Sequence, residues 1–156
     1  MLRMGYDEVD ITPLKSIETV GFGREDNMFR GILKPLMAQV SLWEEEELGC
    51  LITIDSLGFT KELTDALRER VSSVLQVTMD KVMVCFSHCH SAPNADVEKE
   101  YYEMVCGKIE KAVANTKGKL CEVCVGWGNA KVTIGVNRRQ KTEPKDKRAG
   151  VLKVCN

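Results

Sequence analysis

Apolar and polar residues change their spacing several times along this chain, and each change marks an element. Leu2, Met4 and Tyr6 fall on alternate positions, the period of a half-buried strand, and Pro13 ends the run. Residues 14–34 have little periodicity and carry the breakers Gly21, Gly23 and Gly31, with Pro35 just beyond, which predicts a long loop. Loops of that length are uncommon in compact domains and are often functional. Leu36, Ala38, Val40 and Leu42 then share one face of a strand, the glutamates at 44–47 form a solvated connection, and "LGCLITID" reads as a second, more apolar strand. The pair predicts a β-hairpin.

From Thr60 the period lengthens. Leu63, Ala66, Leu67, Val71, Val74 and Leu75 follow helical spacing, with Thr60 as the N-cap. "DKVMVCFS" follows as an almost wholly apolar strand, the pattern of a strand covered on both faces in the middle of a sheet. Val97, Tyr101, Met104, Val105, Ile109, Ala112 and Val113 mark a second helix, with Asp96 as the expected cap and Gly118 as the stop. "LCEVCVGWGNAKVTIGVN" predicts two strands joined near Gly128-Asn129. The stretch 138–150 is polar and expected to be mobile, and "VLKVC" predicts a last strand. Strand, hairpin, helix, strand, helix, hairpin, strand is the order of an α/β fold, a mixed β-sheet sandwich flanked by helices.

Both histidines of the chain fall in "VMVCFSHCHSAP", residues 82–93, at the end of the apolar strand. Residues two apart in an extended segment point to the same side, so His88 and His90 can face one cation, while Cys89 points away. Neutral imidazole is a good ligand for zinc and similar metals. The plain alternative is one packed and one exposed histidine with no shared role. A zinc site needs three or four protein ligands; Asp55, Asp96, Cys85 and Cys89 are candidates to complete one. The metallo-β-lactamase pattern, with Asp two residues after the second His, is absent because position 92 is Ala. "CEVC" at 121–124 has redox or zinc spacing, but within a strand its cysteines point to opposite faces and read as core thiols. "GFG" lacks the third Gly and the strand-to-helix context of a dinucleotide loop, and reads as tightly turning backbone. "NRR" at 137–139 is either a solvated basic cluster or, beside an active site, a grip on an anion.

Composition narrows the class. The 156 residues suit one domain, 1–156, with a single sizeable core. Charges nearly cancel, with 22 Lys+Arg against 23 Asp+Glu, which argues against a nucleic-acid or acidic-membrane partner. No apolar run reaches the roughly 20 residues of a membrane span, and the N-terminus has no signal-peptide pattern. The 7 cysteines are spread through apolar stretches, which fits buried, reduced thiols and a cytoplasmic protein.

Taken in order, "DITP", "VGFG", "RGILKPLMAQVSLWE", "LITIDSLG", "VMVCFSHCHSAP", "VNRR" and "VLKV" resemble the N-terminal catalytic region of the neutral/alkaline, non-lysosomal ceramidase-like hydrolases. "SHCHSAP" and "NRR" are the specific parts. The resemblance implies a zinc-dependent amidohydrolase that cleaves an N-acyl bond of a small-molecule substrate. It implies His88 as a zinc ligand, His90 and Arg138 as catalytic residues steadying an oxyanion, and Gly21 in substrate binding. That family completes its zinc site with a further His, a Glu and a Tyr. This sequence has 2 His, both already used, so the expectation is an N-terminal part with an incomplete site, completed by a C-terminal half or a second chain. Two rival classes stand beside it: a non-enzymatic α/β domain that acts by binding or assembly, and a thiol-based redox protein. Metal content separates the first from the second, and thiol titration tests the third.

Overall fold

The computed structural model describes residues 1–139 and 144–156. They divide into two units, Leu2–Cys121 and Glu122–Asn156 together with Met1.

In the first unit β1 (Arg3–Asp10), β2 (Met37–Glu44) and β3 (Leu48–Ile54) form an antiparallel meander, and β4 (Val82–Phe86) joins β3 in parallel. The sheet order is β4-β3-β2-β1-β5, with β5 the short pair Cys121–Glu122. The hairpin expected at 36–55 is present, turning at 45–47, and its inward residues Ala38, Val40, Leu42, Cys50, Ile52 and Ile54 are buried. Two helices, α1 (Lys61–Leu75) and α2 (Lys99–Lys117), bury Leu67, Val71 and Leu75 and Val105, Ile109 and Val113 in the same core. The α/β class with a mixed sheet is therefore as expected.

Side-chain chemistry explains how the helices are held. Thr60 caps α1, its hydroxyl accepting from Leu63 N at 3.4 Å. Arg68 reaches from α1 to the carbonyls of Met79 and Val82, both at 2.9 Å, and so fixes the start of β4. Arg70 grips Glu110 of α2 with two nitrogens at 2.9 Å and Glu103 with a third at 2.7 Å, a planar fork matched to carboxylates.

Several expectations are corrected. β1 turns Gly5, Asp7 and Val9 inward, with buried Ile11 just beyond its end, and Tyr6 is 46% exposed on the other face. The close approach of α2 sets this choice, because a Cβ on Gly5 would stand 2.8 Å from Thr116 O. β4 is an edge strand and not a central one, and its outward residues Met83 and Cys85 are exposed. Its apolar run gives no sign of which face is covered. Asp96 does not cap α2; Glu98 holds the N-cap position, and Asn94 Oδ1 instead accepts from Asp96 N.

In the second unit β6 (Cys124–Lys131) pairs antiparallel with β7 (Arg148–Cys155). The expected turn at Gly128-Asn129 is absent: Gly128 faces Val151 and Asn129 faces Gly150 within one unbroken ladder. Trp127 lies across Gly150, where a Cβ would meet the indole at 2.4 Å, so the ring occupies the space left by the missing side chain. The stretch expected to be mobile, 138–150, partly enters β7 at Arg148, and its positions 140–143 lie outside the described residues. Of the thiols, expected to be mostly buried, only Cys50 and Cys106 are; Cys89 is half-buried, and Cys85, Cys121, Cys124 and Cys155 are exposed. No described helix is long and apolar enough to cross a membrane.

Candidate functional site

The strand β4 ends at Phe86, and its pairing with β3 continues into the loop. Ser87 N donates to Ile54 O at 3.1 Å and Cys89 N to Ser56 O at 3.0 Å. Between these two anchors His88 takes a left-handed backbone conformation, with φ of 59°. That conformation is uncommon for a residue with a side chain, although His tolerates it better than most. Farther on, the loop pairs with the long segment 14–34. Val20 N donates to Ala92 O at 3.1 Å, Asn94 N to Glu18 O at 3.0 Å, and Glu18 N to the carboxylate of Glu98 at 2.9 Å. The buried alanines 92 and 95 allow this close contact.

These pairings bring the two imidazoles together. Their centroids are 5.0 Å apart at an interplanar angle of 71°. The rings meet, as expected, but through the turned backbone at His88 and not through plain strand alternation. Each ring is tied by its Nδ1 to a backbone carbonyl: His88 to Leu57 O at 3.0 Å, and His90 to Gly21 O at 2.8 Å. A carbonyl oxygen only accepts, so Nδ1 carries the hydrogen in both rings. In the neutral tautomer so fixed, Nε2 keeps a lone pair on both.

Gly21 has φ of 111°, and a Cβ there would stand 2.6 Å from His90 Cγ. Only glycine fits both the backbone and the ring. Phe22 packs edge-on to His90, with ring centroids 5.5 Å apart, and the Arg24 guanidinium lies 5.8 Å from the Phe22 centroid. Cys89, Ser87 and Ser91 line a cavity of about 480 Å³ whose lining also includes Phe29, Leu36 and Asp55. The lining does not include either histidine, in keeping with Cys89 pointing away from the pair.

Arg138 belongs to the other unit. It is exposed, in the connection that follows β6. Asn137 shapes that turn: its Oδ1 accepts from Arg139 N at 3.1 Å and its Nδ2 donates to Pro144 O at 3.1 Å. The structure thus brings together His88, His90 and Gly21. Sequence reasoning missed Leu57, whose part is played by a backbone carbonyl that leaves no signature, and Phe22, which lay unremarked inside "GFG".

Two imidazole nitrogens are donors that zinc accepts, but the set stops there. Among the described residues no three His, Cys, Asp or Glu side chains come together to hold a metal ion, so Asp55, Asp96, Cys85 and Cys89 do not complete one. The pair fits half of a zinc site and no more.

Fold and site together define a mixed α/β protein with paired imidazoles on the loop that leaves an edge strand. No family model and no curated protein matches the sequence. Its structural neighbours are neutral ceramidases. A ceramidase complexed with C2 superposes with a TM-score of 0.80 over 98% of this chain, at 14% identity. The neutral ceramidase from Pseudomonas aeruginosa does so with a TM-score of 0.75 over 98%, also at 14% identity. The chain spans 28% and 29% of their lengths, so the likeness is to the fold of one portion of those proteins.

Proposed function

We propose that this chain is the histidine-bearing part of a zinc-dependent amidohydrolase that cleaves the N-acyl bond of a small-molecule substrate. The observation that carries the reading is the double Nδ1-to-carbonyl tether, which leaves the lone pair on Nε2 of both His88 and His90, on rings whose centroids are 5.0 Å apart. Metal-binding histidines have this arrangement, since a hydrogen bond at one nitrogen fixes the ring and makes the other more basic. The ceramidase-like fold supports the same reading.

In this proposal His88 is a zinc ligand. Zinc, when bound, supplies an activated water and polarises the amide carbonyl. His90 sits at the substrate side, its ring set by Gly21 and Phe22; its Nε2 lone pair takes up the proton released by the attacking water and from there donates to the oxygen on which negative charge develops. Arg138 is a second group for that developing charge, and Gly21 serves substrate binding by holding the His90 ring with its carbonyl and its bare α-carbon. The remaining metal ligands come from a C-terminal portion or a second chain.

The test is zinc stoichiometry by elemental analysis, with hydrolysis of a panel of N-acyl substrates. Both are run on the 156-residue chain and on any longer product of its gene. The expected result is weak zinc and negligible turnover for the chain alone, with both gained in a completed form. A completed form without zinc or turnover supports the binding or assembly reading. Tight zinc and robust turnover in the short chain would show that the ligands are misassigned.

A further inference from the structure

The second unit carries a cysteine pair that the proposed hydrolysis does not use. Cys124 and Cys155 stand opposite each other, as the first cross-strand pair of the β6–β7 ladder. Opposed residues of an antiparallel ladder project to the same face, with Cβ atoms about 4.5–5.5 Å apart.

The hydrogen bonding tells which kind of pair this is. Val132 N donates to Lys147 O at 2.7 Å, in a pair that continues the same register. That makes 132/147 a hydrogen-bonded pair, and such pairs recur at every second residue. Cys124 lies an even number of residues away, so 124/155 is of the same, wider type, with Cα atoms about 5.5 Å apart. A disulfide takes a Cα separation of about 4.4–6.8 Å and a Cβ separation of about 3.5–4.5 Å. The Cα spacing is already suitable, and a slight adjustment of the two strand backbones brings the Cβ atoms into range. Both thiols are free and exposed, so a dissolved reagent reaches them.

We propose that Cys124 and Cys155 are a reversible dithiol site, oxidised to a cross-strand disulfide by a small-molecule disulfide of the glutathione type. One protein thiolate attacks a sulfur of the oxidant, the oxidant's S–S bond breaks, and one glutathione thiolate leaves. The second protein thiolate then attacks the protein sulfur of the mixed disulfide and expels the other glutathione. Two protein thiols lose two electrons and two protons, and one glutathione disulfide becomes two glutathiones. An exposed disulfide held at a wide ladder position is readily reduced again. The ring so closed includes Arg138, so oxidation constrains the segment that carries it. The dithiol chemistry itself does not depend on the hydrolase reading.

The experiment equilibrates the purified chain in glutathione buffers of increasing oxidised fraction and traps free thiols with iodoacetamide. The chain is then digested without reduction and analysed by mass spectrometry. The expected product is a cross-linked peptide pair joining Cys124 to Cys155, an intact mass lower by two hydrogens when taken before alkylation, and full reversal by dithiothreitol. Cys124→Ser should lose the cross-link and leave Cys155 as a mixed disulfide with glutathione. Far-UV circular dichroism confirms that the variant is folded. Glutathione on both cysteines without any cross-link would overturn the proposal, as would a dominant cross-link from either of them to Cys121 or Cys85.

Discussion

His88 and His90 differ in what holds them. His88 stands on a left-handed backbone, a conformation that disfavours L-residues by about 1–2 kcal/mol and is imposed here by the flanking bonds of Ser87 and Cys89. His90 is placed by its neighbours, between Gly21 and Phe22. In a completed, zinc-loaded form, His88→Ala should abolish both tight zinc and activity. His90→Ala should lower turnover by about 10²–10³-fold while keeping more of the metal, as for loss of one oxyanion donor. Elemental analysis beside single-turnover rates separates the two effects; equal loss of zinc in both variants would make His90 a ligand too. Gly21→Ala places a Cβ against the His90 ring on a backbone that only glycine adopts readily. Urea unfolding should show a loss of about 1–3 kcal/mol, and an unchanged midpoint would mean that the loop simply moves aside.

At the scale of elements, β1 shows how a partner chooses a face. Its alternation offered Leu2, Met4 and Tyr6, yet the inward side is Gly5, Asp7 and Val9, with buried Ile11 just beyond its end. The residue that allows this is the smallest one, because α2 crosses at Gly5 with no space for a side chain. Gly5→Ala should therefore destabilise by about 1–3 kcal/mol through overpacking, although alanine is the better strand residue. A chemical denaturation curve checks the sign: stabilisation would mean that α2 is free to lift away. β4 carries the opposite lesson. A run such as "VMVCF" indicates a strand but not its neighbours, and here it lies at the edge.

For the molecule as a whole, the buried core cluster lies entirely within Leu2–Cys121, drawn from β1 to α2. A chain truncated after Cys121 should still unfold cooperatively, with the histidine loop intact. Thermal melts followed by circular dichroism test this, and a molten, non-cooperative fragment would show that the hairpin unit is needed for the fold. Global stability should also carry the mark of Cys50, whose thiol is pushed up to about 12 by burial from an ordinary value of 9.0. Between those values the folded state keeps a proton that the unfolded state has lost. The contribution of Cys50 to stability is therefore constant below about pH 9 and is lost as pH rises through the folded pKa. Cys50→Val should flatten that alkaline limb in denaturation curves taken from about pH 8 to about pH 11. Cys50 and Cys106 should also resist thiol reagents until the chain unfolds.

Local spacing determined a good part of this protein. The hairpin at 36–55, the start of α1 at Thr60, the stop of α2 at Gly118, and the α/β order all follow from period and capping, which act within a few residues. So did the pairing of two histidines at a strand end, since a tripeptide cannot place them far apart. What depends on contacts across the chain stayed hidden. Nothing in the sequence marks the Leu57 carbonyl as the partner of His88, or explains physically why position 21 must be glycine, because both answers lie in residues far along the chain. The strand from Cys124 to Lys131 read as two because Gly-Asn is a turn signal, and only its partner β7 holds it straight. Cysteines in apolar stretches read as buried, yet burial depends on which face another element covers. That choice is made by packing, where one glycine under a helix outweighs a whole strand's alternation.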